Sequence, residues 1–195
     1  MEKGKLGVIG GMGPQAMLLF CQKIVDLTDA RSDQAHLPML ILNDTQMPDR
    51  TAALLSGETQ PVHDRLLADG RTLEAWGATA VAVTCNTAHA FLPQVQKELG
   101  VPIVNMIEET AGALQALGAK RVGILGTDGT LKTRLYHQAL EARGITPVVP
   151  PREEQALVMS IIYDEIKQGH KGSPDKFAAA DRALPVSYTH LRAHE

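Results

Sequence analysis

Cys85 closes a run of short apolar residues and opens a polar one, in the segment Val81-Ala82-Val83-Thr84-Cys85-Asn86-Thr87-Ala88-His89. The pattern predicts a buried strand that delivers a thiol to the start of a helix. Free N–H groups and the helix dipole at such a place favour a thiolate, lowering the thiol pKa from its reference of about 8.5. Thr84, Asn86 and Thr87 surround the sulfur with hydrogen-bonding groups suited to a small anionic ligand. Cys85 is thus a candidate base or nucleophile, although the same segment also suits an inert cysteine that merely ends a strand. Cys21 reads differently. With Met17, Leu18, Ile24 and Val25 it falls on one helix face, where a free cysteine is a small hydrophobe.

A second candidate is the turn Gly10-Gly11-Met12-Gly13-Pro14. From Gly7 it reads G-x-x-G-G-x-G, which is not the dinucleotide fingerprint, and no well-placed acidic residue follows a second strand to hold a ribose. Glycines there permit a backbone nest for a carboxylate or phosphate, and equally a tight structural turn. Arg50, in Pro48-Asp49-Arg50, is either an anion clamp or a solvated loop arginine.

These residues are positioned by alternating strands and helices. Strands are predicted at Leu6–Ile9, Met39–Asn43, up to Cys85, Pro102–Asn105, Arg121–Leu125 and Ile145–Val149. Helices are predicted from Pro14 to about Leu27, Pro61 to Trp76, after Cys85 to Gly100 with a break at Pro93, Ile107 to Leu117, Thr130 to Ala142 and Glu153 to Lys167. Pro48-Asp49-Arg50 is expected in a polar loop. Strand, glycine turn and helix recur near Arg121, so an α/β fold is expected: two similar three-layer lobes, with parallel sheets flanked by helices and an active site in the cleft between them. The expected bounds are residues 1–112 for the first lobe, 113–184 for an incomplete second lobe and 185–195 for a non-native tail. Ligands bind at the carboxyl ends of strands in such sheets, where Gly11, Arg50, Cys85 and Thr127 all fall.

Composition narrows the function classes. In 195 residues, 19 Lys and Arg against 22 Asp and Glu give a net charge of −3, with no basic block for nucleic acid or anionic membrane. No apolar stretch reaches membrane-spanning length, so the expected location is cytoplasmic. Two cysteines without a C-x-x-C pair argue against a disulfide framework or a zinc site.

Four motifs in order, Gly10-Gly11-Met12-Gly13-Pro14, Pro48-Asp49-Arg50-Thr51, Cys85-Asn86-Thr87-Ala88-His89 and Gly126-Thr127-Asp128-Gly129-Thr130, resemble the aspartate/glutamate racemase family, in particular its aspartate-type branch. The resemblance runs from about Leu6 to about Leu184. It implies an isomerase that needs neither pyridoxal phosphate nor a metal, acts on a small amino acid and is commonly a homodimer. It also implies two cysteines facing the substrate α-carbon, one removing a proton while the other donates one. By position, Cys85 resembles the first-lobe base and Arg50 the carboxylate clamp. Met12, Gly13, Thr84, Asn86 and Thr87 would bind substrate from the first lobe. Thr127, Thr130 and Lys167 would contribute from the second. His89 matches the motif but is expected to pack or hydrogen-bond within its turn.

One departure stands out. The family's second cysteine lies in a later Gly-Cys-Thr-Glu type motif, whereas Cys85 is the last cysteine here. Residues 185–195 resemble a translated sequencing-adaptor tail. The expectation is therefore impaired racemisation by the chain as written. Alternatives are a one-cysteine decarboxylase, a cis–trans isomerase of a small diacid and a non-catalytic amino-acid-binding protein. A thiol hydrolase pairing Cys85 with His89 is disfavoured, because both lie in one helical turn with no third group to orient them.

Overall fold

Val8 and Ile9 face opposite sides of one strand and both are buried, which marks the centre of a sheet covered on two faces. The computed structural model describes residues 4–184, so the expected tail at 185–195 lies outside the described residues. The chain divides into two compact units between Met106 and Ile107. Position 112 falls inside a helix.

In the first unit, β1 (Lys5–Gly10) leads to α1 (Pro14–Leu27), β2 (Met39–Asn43), α2 (Arg50–Ser56), α3 (Gln60–Ala75), β3 (Ala78–Val83), α4 (Leu92–Val95) and β4 (Ile103–Val104). The strands form a parallel sheet in the order β2-β1-β3-β4. Val8 packs with Met17 and Cys21 of α1 on one face. Ile9, Val81 and Val83 pack with Leu66 and Leu73 of α3 on the other. Leu66 and Leu73 are fully enclosed, so truncating either to alanine costs about 2–5 kcal/mol. A Cβ at Gly10 would run into the Met17 side chain, which is why α1 closes so tightly on the strand end.

Two expectations change here. Arg50 does not sit in a loop: Asp49 caps a helix that begins with it, its carboxylate accepting the Ala52 N–H at 2.8 Å. The long helix expected after Cys85 is instead a 3₁₀ turn over Thr87–Ala90, the single turn α4 and a further 3₁₀ turn over Gln96–Glu98. Pro93 in the first turn of α4 lacks an N–H, so no unbroken i→i−4 ladder crosses the segment. The macrodipole of a long helix therefore does not act on Cys85.

The second unit contains α5 (Met106–Ala116, all but its first residue), β5 (Arg121–Gly123), α6 (Asp128–Thr133), α7 (Leu135–Glu141), β6 (Thr146–Val148), α8 (Arg152–Ser160) and α9 (Pro174–Arg182). β5 and β6 pair in parallel. The helix expected through Ala142 breaks at Arg134, whose φ of 55° is left-handed and ends one helix before the next begins. The helix expected to Lys167 keeps its course but loosens into a π-helical turn over Ile161–Glu165 and tightens into a 3₁₀ turn over Ile166–Gln168.

Candidate active site

Three strand ends of the first unit build its candidate site. After β1, Gly11 has φ 90°, and a Cβ there would fall on the Asp44 backbone carbonyl just beyond β2. Glycine is thus required for this turn to meet the neighbouring strand end. A Cβ at Gly13 would meet nothing within 4 Å, so packing does not demand that glycine. Met12 is buried, and its carbonyl accepts a hydrogen bond from Arg50 Nη2 at 3.3 Å.

Arg50 is the most telling side chain. It is 7% exposed, and Nη1 donates to the carbonyls of Met47 at 3.3 Å and Pro48 at 2.8 Å. All these acceptors are neutral. Its Nε is buried without a hydrogen-bond partner among the described residues. A buried guanidinium held only by carbonyls has its geometry fixed but its charge uncompensated, a state that an incoming carboxylate relieves.

The loop that leads to Arg50 is braced by carboxylates that the sequence reading missed. Asp44 receives Arg65 through two nitrogens, Nη2 at 2.9 Å and a closer Nε, and accepts the Gln46 N–H at 3.0 Å. Arg65 holds the Asp44 carboxyl below its ordinary range. Burial, followed by the Asp44 charge, pushes Asp69 up to about 6. On acidification Asp69 is therefore protonated before Asp44. Nothing in the local pattern of α3 marks Asp69 for this role.

At the end of β3, Thr84 donates both its N–H, at 3.0 Å, and its hydroxyl, at 3.3 Å, to the Ile9 carbonyl. This double bond to β1 fixes where Cys85 emerges. Cys85 is half-buried and packs against the core that contains Met12 and Met47. Asn86 is half-buried and Thr87 buried, and α2 lies against their turn. Cys21 is buried beside Met17, and burial pushes its thiol up, as suits core filler. His89 is enclosed, with Nδ1 2.9 Å from the Cys85 carbonyl and Nε2 accepting the Met106 N–H at 3.2 Å. Burial lowers its pKa, favouring the neutral ring.

The remaining candidates lie in the second unit. Thr127 caps α6, accepting the Thr130 N–H at 3.2 Å, and the two hydroxyl oxygens are also 3.2 Å apart. Gln155, unmarked in the sequence, donates to the Gly126 carbonyl at 3.0 Å and to the Asp128 carboxylate at 2.8 Å, bracing that turn. A cavity of about 440 Å³ beside it is lined by Asp128, Arg152, Gln155, Met159 and Tyr163 among others. Lys167 is exposed, and its Nζ lies 3.7 Å from the centre of the Tyr163 ring. Met12, Arg50, Thr84, Cys85, Asn86 and Thr87 thus share one set of strand ends. Thr127 and Thr130 share a turn of the second unit, and Lys167 stands apart from them, past the end of α8. No cluster of metal-ligating side chains occurs among the described residues.

The model of the Asp/Glu/Hydantoin racemase family matches residues 9–184. The chain belongs to this family. The aspartate racemase of Picrophilus torridus is similar in structure, with a TM-score of 0.74 and 33% identity over 91% of this chain and 72% of its own. The broad specificity amino-acid racemase RacX of Bacillus subtilis is 27% identical over 160 residues, 78% of this chain and 67% of RacX. A glutamate racemase of Shewanella woodyi is 28% identical over 169 residues, 82% of this chain but 57% of that protein. The racemase-family chain thus spans well short of the full length of these relatives. Among its described residues no helix is long and apolar enough to cross a membrane.

Proposed function

We propose that the chain is an amino-acid racemase of the aspartate/glutamate type, in which Cys85 moves the α-proton and Arg50 binds a substrate carboxylate. The observation that carries this reading is Arg50 itself, buried on three neutral carbonyls at the same strand ends as the half-buried thiol. An α-proton becomes removable only when the adjacent carboxylate tolerates the charge that develops on it. Arg50 and the N–H groups of the Cys85 turn are suited to stabilise that charge. Met12, Gly13, Thr84, Asn86 and Thr87 would shape the pocket around the substrate. Thr127, Thr130 and Lys167 would supply hydroxyls and a cation for the distal end of a small diacid. No pyridoxal phosphate and no metal enter this scheme, and two unpaired cysteines suit a reducing, cytoplasmic setting.

Cys85 is the last cysteine of the sequence as written, so no cysteine within it follows to serve the opposite face. The polypeptide as written is accordingly expected to exchange the α-proton of one enantiomer for deuterium while racemising poorly. The test is proton NMR of L- and D-aspartate and L- and D-glutamate in deuterated buffer, with the parent chain and Cys85→Ser. Exchange of one enantiomer that disappears in the variant supports the reading. Exchange that survives in Cys85→Ser overturns the role of the thiol, and rapid two-way racemisation overturns the one-base scheme. The lone thiol at these strand ends also suits a one-cysteine decarboxylase or diacid isomerase, which carbon dioxide release or conversion of maleate would reveal.

A further inference from the structure

His89 is used by none of this chemistry, yet it is 3% exposed and both ring nitrogens are engaged. The Cys85 carbonyl can only accept, so Nδ1 must carry a proton toward it, while the Met106 N–H meets Nε2 and the Val104 carbonyl also bonds the ring. A neutral ring then carries its proton on Nδ1, which donates to the Cys85 carbonyl at 2.9 Å. A trans peptide holds its C=O and N–H on opposite sides. The carbonyl drawn toward the buried ring therefore leaves the following N–H, that of Asn86, directed away from it. One side chain thereby sets the orientation of the peptide that joins the thiol residue to its polar turn. The turn has no long α-helix to impose that orientation, since Thr87–Ala90 is a single 3₁₀ turn.

We propose that His89 is a positioning residue, which pins the Cys85 carbonyl through Nδ1–H and so holds the thiol in its reactive setting. The inference rests on Cys85 being the working group, but its test reads the thiol directly and needs no turnover. Two isosteres divide the ring's bonds. Asparagine places its amide N–H where Nδ1 stands, and glutamine places its amide group where Nε2 stands. His89→Asn therefore keeps a donor for Cys85, whereas His89→Gln keeps an acceptor for Met106 and frees the Cys85 carbonyl. A freed carbonyl can rotate its partial negative charge toward the sulfur, disfavouring thiolate.

The measurement is iodoacetamide alkylation of Cys85 in the full chain at a fixed pH of about 8, with peptide mass mapping to separate Cys85 from buried Cys21. His89→Gln is expected to slow alkylation about fivefold, the size of one hydrogen bond, while His89→Asn stays within about twofold of the parent. Thermal melts of both variants run alongside. Equal slowing in both variants reduces His89 to a packing role and overturns the proposal. Unchanged rates in both, or slowing in His89→Asn alone, overturn it too. Should neither variant fold, nitrogen–proton NMR of the parent decides: a ring protonated on Nδ1 supports the proposal, and one protonated on Nε2 overturns it.

Discussion

The first unit positions its candidate groups with a sheet, and the second positions its own with side chains. Four parallel strands bring the ends of β1, β2 and β3 together, and backbone carbonyls at those ends hold Arg50 and Thr84. In the second unit only two strands pair among the described residues, and the Thr127 turn depends on its own cap and on the Gln155 amide. β1 and β3 lie inside this sheet and are bonded on both sides, so their ends are rigid, which suits groups that must be placed to a fraction of an ångström. Caps and amides on a narrow sheet tolerate more movement. They suit groups that select a ligand rather than transform it.

The comparison can be broken at its strongest point first. Cys85→Ser is expected to reduce α-proton exchange about a thousandfold while leaving the melting temperature near that of the parent, as NMR exchange and calorimetry would show. A serine variant that retained exchange would move the chemistry out of the first unit altogether. Arg50→Ala is expected to weaken aspartate binding about 10- to 100-fold by calorimetric titration, and Arg50→Lys to restore little of it, because an ammonium lacks the planar fork. Lys167→Met, at an exposed cation over an aromatic ring, should change affinity no more than about threefold. If the two cations proved equally important, the contrast between rigid and adaptable units would fall.

Asp69 in the first unit and Glu165 in the second should contribute to the pH dependence of stability with opposite signs. In the first, Asp69 has a raised folded pKa of about 6, caused by burial and by Asp44. The unfolded chain releases this proton at the ordinary aspartate value of about 4, so stability falls as pH rises from there to about 6 and then levels. Asp69→Asn should flatten that slope in denaturant titrations across the range. In the second unit, Lys176 and the Ser173 N–H lower the Glu165 pKa. Its contribution is present above the ordinary glutamate value and is lost as pH falls below it. Lys176→Met should make this unit less sensitive to acid, the smallest effect of the set because the pair is partly solvated.

Much of the scaffold was legible from local pattern. β2 was expected over Met39–Asn43 and occurs there, and α1 runs from Pro14 to Leu27 as its apolar spacing and proline suggest. Cys21 is core filler as expected, but of its expected helical face only Met17 is buried with it, while Leu18 and Val25 are exposed. Breaks were harder to see. Arg134 turns left-handed without a glycine, and α8 loosens at Ile161 without a proline, so neither carries the usual mark of a helix end. Asp49 did carry a signal, an N-cap residue directly before Arg50, that the polar character of the segment concealed.

The sequence by itself determined the alternation of strands and helices, the placing of a thiol at a strand end and the four motifs that resemble one family. Those features depend on neighbours a few residues apart, which periodicity and turn chemistry report. Tertiary structure alone decided that Arg50 is buried against Met12, 38 residues away, and that His89 spans from Cys85 to Met106, 17 residues further on. It also decided that Arg65 and Asp69 of α3 meet Asp44 at the end of β2. Such contacts exist only once the sheet order β2-β1-β3-β4 brings distant strand ends side by side, and no local pattern encodes that order.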